Sequence, residues 1–136
     1  MAVTYEWRGH FESREANALH AEAFETRVFS DSEWNWVEQV AAHSLGWVTA
    51  RSDAGTLAGF VNVLWDGLVH AWLQDMMVAQ SERRGGVGVA LVQHARDGAA
   101  TAGCEFLHVD FDDHLIPFYF DACGFTPTRA GLMHLR

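Results

Sequence analysis

Residues 83–88 read Arg-Arg-Gly-Gly-Val-Gly. Glycine contributes no side chain to bury and loses the most backbone freedom on ordering, so this stretch suits neither the interior of a helix nor that of a strand. The chain must turn there. An apolar run, Leu73–Ala79, comes before the turn and an amphipathic run, Val89–Ala102, comes after it. A strand, a glycine-rich turn and a helix in that order make a cradle for phosphate. The backbone can approach an anion closely, and the first N–H groups of the helix point toward it without partners. Arg83 and Arg84 add forked donors that match phosphate oxygens. No lysine follows the glycines, so this is not a P-loop, and the third glycine of a dinucleotide fingerprint is missing. A plain surface turn with two solvated arginines is the alternative.

The remaining composition narrows the setting. A length of 136 residues predicts one domain, 1–136, and 49% hydrophobic residues suffice for a packed core. The net charge is -9 with no lysine at all, which argues against a nucleic-acid partner and is compatible with a cationic one. No basic-then-apolar leader and no long apolar segment is present, so neither secretion nor membrane insertion is expected. Cys104 and Cys123 form no metal-type pair and read as reduced thiols of a cytoplasmic protein.

Along the chain, Val3–Arg8 alternates as a first strand and Phe11–Phe24 has helical spacing. Ser30-Asp31-Ser32-Glu33 has capping-box form and predicts a second helix carrying Trp34, Trp36, Val37 and Val40. On such a helix Trp34 and Trp36 would face different ways, one of them toward a substrate mouth. Strands are expected over Leu45–Arg51, Thr56–Trp65 and Val69–Ala79, with hairpin turns at Asp53-Ala54-Gly55 and Asp66-Gly67. A helix follows Gly86, then a buried strand over Glu105–Phe111 and a short helix from Pro117 to about Cys123. One or two final strands are expected between Phe125 and Leu135. Most of the tryptophans are expected in the core. The class is mixed α/β: antiparallel strands, then a strand–helix–strand unit.

Arg83, Gly86 and Gly88 are spaced as in the GNAT superfamily of N-acetyltransferases, which the sequence resembles. Met76-Met77-Val78-Ala79 looks like the family strand leading into that loop. Phe118-Tyr119 with Cys123-Gly124-Phe125 resembles the family's aromatic-Tyr and Gly-Phe segment. The resemblance implies a mixed, mostly antiparallel central sheet with helices on both faces, whose fourth and fifth strands diverge. It also implies bound acetyl-coenzyme A. The backbone of Arg83, Arg84, Gly85, Gly86, Val87 and Gly88 would hold the pyrophosphate. Met77, Val78 and Ala79 would line the pantetheine arm, and an N–H near Met77 would face the thioester oxygen. Four residues lie between Tyr119 and Gly124, one more than the family spacing. Either the helix carries one extra residue or Phe120 stands in the tyrosine's place. Asp112 or Asp113 occupies the neighbourhood of a family asparagine.

On this reading Tyr119 is the candidate general acid, with an aromatic that merely packs the helix as the alternative. Asp75 is the leading base, because a carboxylate within an apolar strand is costly to bury and burial raises its proton affinity. A hydrogen-bonded acid capping a turn is the bland alternative. His70 is the second base candidate. Cys123 reads as core. Asp110, Asp112 and Asp113 with His108 and His114 have metal-ligand character, but a solvated loop that attracts ammonium groups is favoured, and no metal is expected.

The expected reaction is direct acetyl transfer from acetyl-coenzyme A to a primary amine of a small molecule or peptide. A non-catalytic acyl-coenzyme A sensor on the same fold and a small interaction protein whose arginines meet an acidic partner are the rival readings. A sheet edge near the C-terminus offers a place for a second copy.

Overall fold

The structure is a computed structural model that describes residues 2–136. Its centre is one five-stranded sheet in chain order: β1 (Thr4–Trp7), β2 (Ser44–Arg51), β3 (Leu57–Trp65), β4 (His70–Val78) and β5 (Phe106–His108). The first three pairings are antiparallel and β4–β5 is parallel. The parallel pair requires a crossover, which α3 (Val87–Thr101) supplies. α3 packs Val87, Leu91, Val92, Ala95 and Ala99 against Val48, Ala50, Val61, Val63, Ala71 and Leu73. On the opposite face α1 (Ser13–Phe24) and α2 (Trp36–His43) bury Ala16, Leu19, Trp36 and Val40 against Leu57, Phe60 and Met77. β3 is covered on both sides, which is why Leu57 to Val63 reads as a nearly continuous apolar run. No helix among the described residues is long and apolar enough to cross a membrane.

The expected second helix starts later than its capping signal. Ser30 N–H donates to Glu33 Oε1 at 3.0 Å and Glu33 N–H donates to Ser30 Oγ at 3.3 Å, so the box forms, but around a turn. The Trp34 carbonyl is taken by Asn17 Nδ2 at 3.1 Å, and the Asn35 side chain accepts the Glu38 N–H at 3.1 Å. That side-chain cap replaces the helical bond Trp34 would have accepted, so the helix begins at Trp36. Trp34 therefore lies outside it, and the two indoles stack 4.3 Å apart at 9° instead of facing different ways. The tryptophans are also less buried than expected: Trp36 is fully buried, whereas Trp65 and Trp72 are exposed.

Two strand expectations are corrected. β5 spans three residues rather than Glu105–Phe111, and Phe106 is 55% exposed. Strand ends are set by available partners, and β4 turns away beyond Trp72. Residues 126–136 form no strand; they run exposed, with no sheet neighbour. Between these regions, Pro117–Ala122 winds as a wide π turn in which Cys123 N–H donates to Phe118 O, five residues back, at 2.9 Å.

Candidate active site

β4 and β5 pair only where His70–Trp72 meets Phe106–His108. Beyond that point the register of β4 against β3 slips between Phe60 and Asn62, so Asp75 and Met76 together oppose Val61. This is a β-bulge, which bends a strand and re-aims its side chains. Asp75 takes the left-handed conformation there, φ 56°. The two strands part, leaving one edge of β4 without a strand partner. Ala79 N–H donates to Ala58 O at 2.8 Å, and Val78 sits opposite Gly59. Antiparallel pairs alternate, so Val78 turns its N–H and C=O away from β3 and into the opening. Met77, one residue earlier, bonds toward β3, so the free amide near Met77 belongs to Val78.

The glycine turn closes this opening at one end. Arg84 and Gly86 both have positive φ, 73° and 81°, and α3 begins at Val87. Gly85 N–H donates to Glu82 O at 3.3 Å and Arg83 N–H to Gln80 O at 3.3 Å. The amides of Arg84, Gly86, Val87, Gly88 and Val89 take part in no hydrogen bond among the described residues. A Cβ on Gly86 would meet nothing within 4 Å, so that side of the turn is open, while Arg83 Nε donates across to the Val78 carbonyl at 3.4 Å. Unbonded N–H groups around a left-handed turn at a helix start form an anion-binding concavity. The carboxylate of Glu22 accepts the Gln80 N–H and ties α1 to the approach to this turn.

Asp75 lies on the α1 side of the opening. Burial pushes its carboxyl above the usual carboxylate range, while Asn62 and the charge of His20 offset part of that rise. Asn62 is fully buried and accepts the Ser44 O–H at 2.5 Å through Oδ1. Its Nδ2 faces Asp75 but reaches no acceptor within hydrogen-bond distance. Tyr119 lies on the α3 side. Its ring is 5% exposed, stacked on Phe111 at 4.5 Å and edge-on to Phe118 and Phe125. Burial, with a smaller push from Cys123, raises the phenol to about 12. Phe118 in turn sits against Gly88, where a Cβ would come within 2.9 Å of its ring. The π turn thus abuts the cradle. Cys123 is half-buried next to it, its thiol also raised by burial.

The fold separates His70 from this group. His70 lies at the far end of β4, with Nδ1 2.8 Å from His108 Nε2 and its ring stacked on Phe106 at 5.0 Å. Among the described residues no three His, Cys, Asp or Glu side chains gather to hold a metal ion. Sequence reasoning missed Asn62 and His20. A lone amide inside the apolar run of β3 was a usable signal for Asn62. Nothing set His20 apart from other half-exposed helix residues.

No curated protein matches the chain in sequence. Among solved structures, a Trypanosoma brucei acetyltransferase aligns with a TM-score of 0.79 at 17% identity, covering 98% of this chain and 100% of that one. Glucosamine-6-phosphate N-acetyltransferase from Arabidopsis thaliana gives 0.77 at 17%, covering 96% and 97%. AAC(6')-Iy in complex with the bisubstrate analog CoA-S-monomethyl-acetylneamine gives 0.78 at 16%, covering 100% and 99%. These likenesses establish the fold. The sequence model described as the Acetyltransferase (GNAT) family matches residues 5–125, nearly the whole chain. With its parted β4 and β5 and its open cradle at the start of α3, this chain belongs to the GNAT acetyltransferase family.

Proposed function

We propose that the chain transfers an acetyl group from acetyl-coenzyme A to a primary amine of a small molecule or peptide, both bound at once. One observation carries the reading: unbonded amides at the start of α3 lie beside an unpaired edge of β4. A diphosphate needs donors with no other partner, and an extended, amide-bearing arm needs a free strand edge. The amides of Arg84 and Gly86 to Val89 suit the first requirement, with the side chains of Arg83 and Arg84 adding charge. The backbone of Val78 suits the second, with Met77 and Ala79, whose own groups bond toward β3, flanking it. Gly85 serves the turn and not the ligand, because its own N–H is already bonded.

When bound, acetyl-coenzyme A supplies the acetyl group as a thioester. The Val78 N–H then donates to the oxygen on which charge builds, a preorganised contact worth about 3 kcal/mol in comparable sites. Asp75 takes a proton from the acceptor ammonium, and its raised proton affinity suits that task. Tyr119 returns a proton to the departing sulfur. The π turn supports Tyr119 over Phe120 for this role: a π turn absorbs one extra residue per turn, which accounts for the longer spacing to Gly124. Transfer from a phenol at about 12 to a thiolate near 8.5 is uphill by about 5 kcal/mol. Exclusion of water raises the thiolate's basicity as well and narrows that difference.

Two of the similar structures support an amine acceptor and a coenzyme A donor. One is named glucosamine-6-phosphate N-acetyltransferase, and the other holds a CoA-S-monomethyl-acetylneamine analog. The free thiols Cys104 and Cys123 fit a reducing compartment, the cytoplasm. The phenol of Tyr119, pushed up to about 12 by burial and therefore a weak acid, favours one second reading, a coenzyme A sensor without turnover. Thiol release measured over a panel of primary amines separates the two. Saturable release with at least one amine is expected; tight coenzyme A binding with no release on any amine makes the chain a sensor.

A further inference from the structure

Trp72 and Phe106 are large aromatic side chains that the fold leaves exposed, at 39% and 55%. Both lie on the face of the sheet that carries α1 and α2. Their neighbours Ala71, Leu73 and Leu107 pack on the α3 side, and successive residues of a strand point to opposite faces. The two helices bury Met77, further along β4, but leave these rings uncovered. Exposed apolar patches of this kind mark binding surfaces.

The rings form one built platform. The parallel register sets His70 beside Phe106 and Trp72 beside His108. Each pair stacks, the first at 5.0 Å and 18°, the second at 5.0 Å and 19°. A hydrogen bond between His70 Nδ1 and His108 Nε2, at 2.8 Å, crosses from one pair to the other and ties the four rings together. The platform runs into the candidate active site. Gln74, exposed on the same face, follows Trp72 along β4, and Asp75 comes next at the bulge, on the α1 side. Three residues of strand span about 10 Å, so the indole and the Asp75 carboxyl are within reach of one small molecule. The rim is acidic: Asp110, Asp112 and Asp113 stand exposed just past His108.

We propose that this platform holds the body of the acceptor and that the acceptor is an arylalkylamine, a flat apolar ring on a short chain ending in the primary amine. The inference rests on acetyl transfer beside Asp75 as proposed above. A ring laid against the platform gains buried area and aromatic contact, and the exposed carboxylates favour an ammonium at the approach. The spacing sets the chain at about two to four carbons between ring and nitrogen. A polyamine would leave the rings bare. Trp72, nearest to Asp75, is the specificity-determining residue.

Calorimetry on the chain with coenzyme A present reads acceptor binding without turnover, with phenethylamine, phenylbutylamine and ring-free butylamine as probes. The phenyl amines are expected to bind at least about tenfold more tightly than butylamine. Trp72→Ala, with Tm confirming a folded chain, is expected to remove most of that margin, and Trp72→Phe to keep it. Equal affinity for ringed and ring-free amines, or a margin that survives in Trp72→Ala, overturns the proposal. So does a wild-type dimer in sedimentation that Trp72→Ala dissociates, because a second copy would then occupy the platform. Thiol release from acetyl-coenzyme A separates this inference from the reaction it rests on. Release with butylamine as readily as with phenethylamine overturns the platform and leaves acetyl transfer standing. Ring-dependent binding with no release on any amine supports the platform and removes acetyl transfer.

Discussion

Gly86 holds φ at 81° with open space around it, so a side chain there meets strain rather than a clash. Gly86→Ala is expected to cost about 1–2 kcal/mol of stability, visible as a lower Tm. Unchanged stability would mean that the turn adopts another backbone conformation. Tyr119 yields a second test at this scale. Tyr119→Phe is expected to lower turnover by about a hundredfold while leaving coenzyme A affinity intact. Because burial holds the phenol near 12, wild-type turnover should show no alkaline fall-off from Tyr119 below about pH 10. A limb near pH 9 that vanishes in Tyr119→Phe would contradict this placement of the ring.

At the scale of elements, two ties hold the helices to the sheet. Arg51 of β2 donates to both carboxylate oxygens of Glu15 in α1, at 2.5 and 3.0 Å. That hydrogen bonding lowers the Glu15 carboxyl below its ordinary value, outweighing its burial. A depressed carboxyl contributes stability above its unfolded value, near 4.3, and loses it as pH falls through the lower folded value. Wild-type Tm should therefore drop on acidification below about pH 4.5. Glu15→Gln should start lower at pH 7 and drop less, and parallel curves would show that the pair contributes nothing. The second tie is Trp7 of β1, which lies against glycines of β2 and α3. A Cβ at Gly46 would come within 2.2 Å of the indole and one at Gly98 within 2.5 Å. Alanine is the better helix former by about 1 kcal/mol, yet Gly98→Ala is expected to destabilise by about 1–3 kcal/mol because the hemmed-in ring cannot yield. A raised Tm would show that β1 shifts freely on α3.

Across the whole molecule, what could be read from the chain was what local chemistry decides. The glycine turn, the first four strands and α3 declare themselves through short-range pattern, and the family resemblance rests on the loop and its flanking residues. The parts that were misread depend on distant partners. β5 ends at His108 because β4 bends away, and that bend comes from Asp75 entering the left-handed region, where Asp is tolerated but not demanded. Residues 126–136 hold Pro127 and Gly131, which disfavour a strand, and no sheet edge pairs with them. The helix signal at Ser30 to Glu33 was overridden by Asn17, which claims the Trp34 carbonyl from another helix. The site divides in the same way. Its cradle was legible, whereas the placing of Asp75 beside the buried amide of Asn62, on a neighbouring strand, was not.

Acetyl-coenzyme A binding by this chain depends on the unbonded amides that open α3 and on the anion they receive. Calorimetry with coenzyme A on wild type and on Gly86→Asp, with Tm confirming that both are folded, tests this most directly. Wild type should bind with micromolar or tighter affinity, and a carboxylate placed in the cradle should weaken binding at least a hundredfold. Equal affinity in the two chains, or no binding by the wild type, would contradict it.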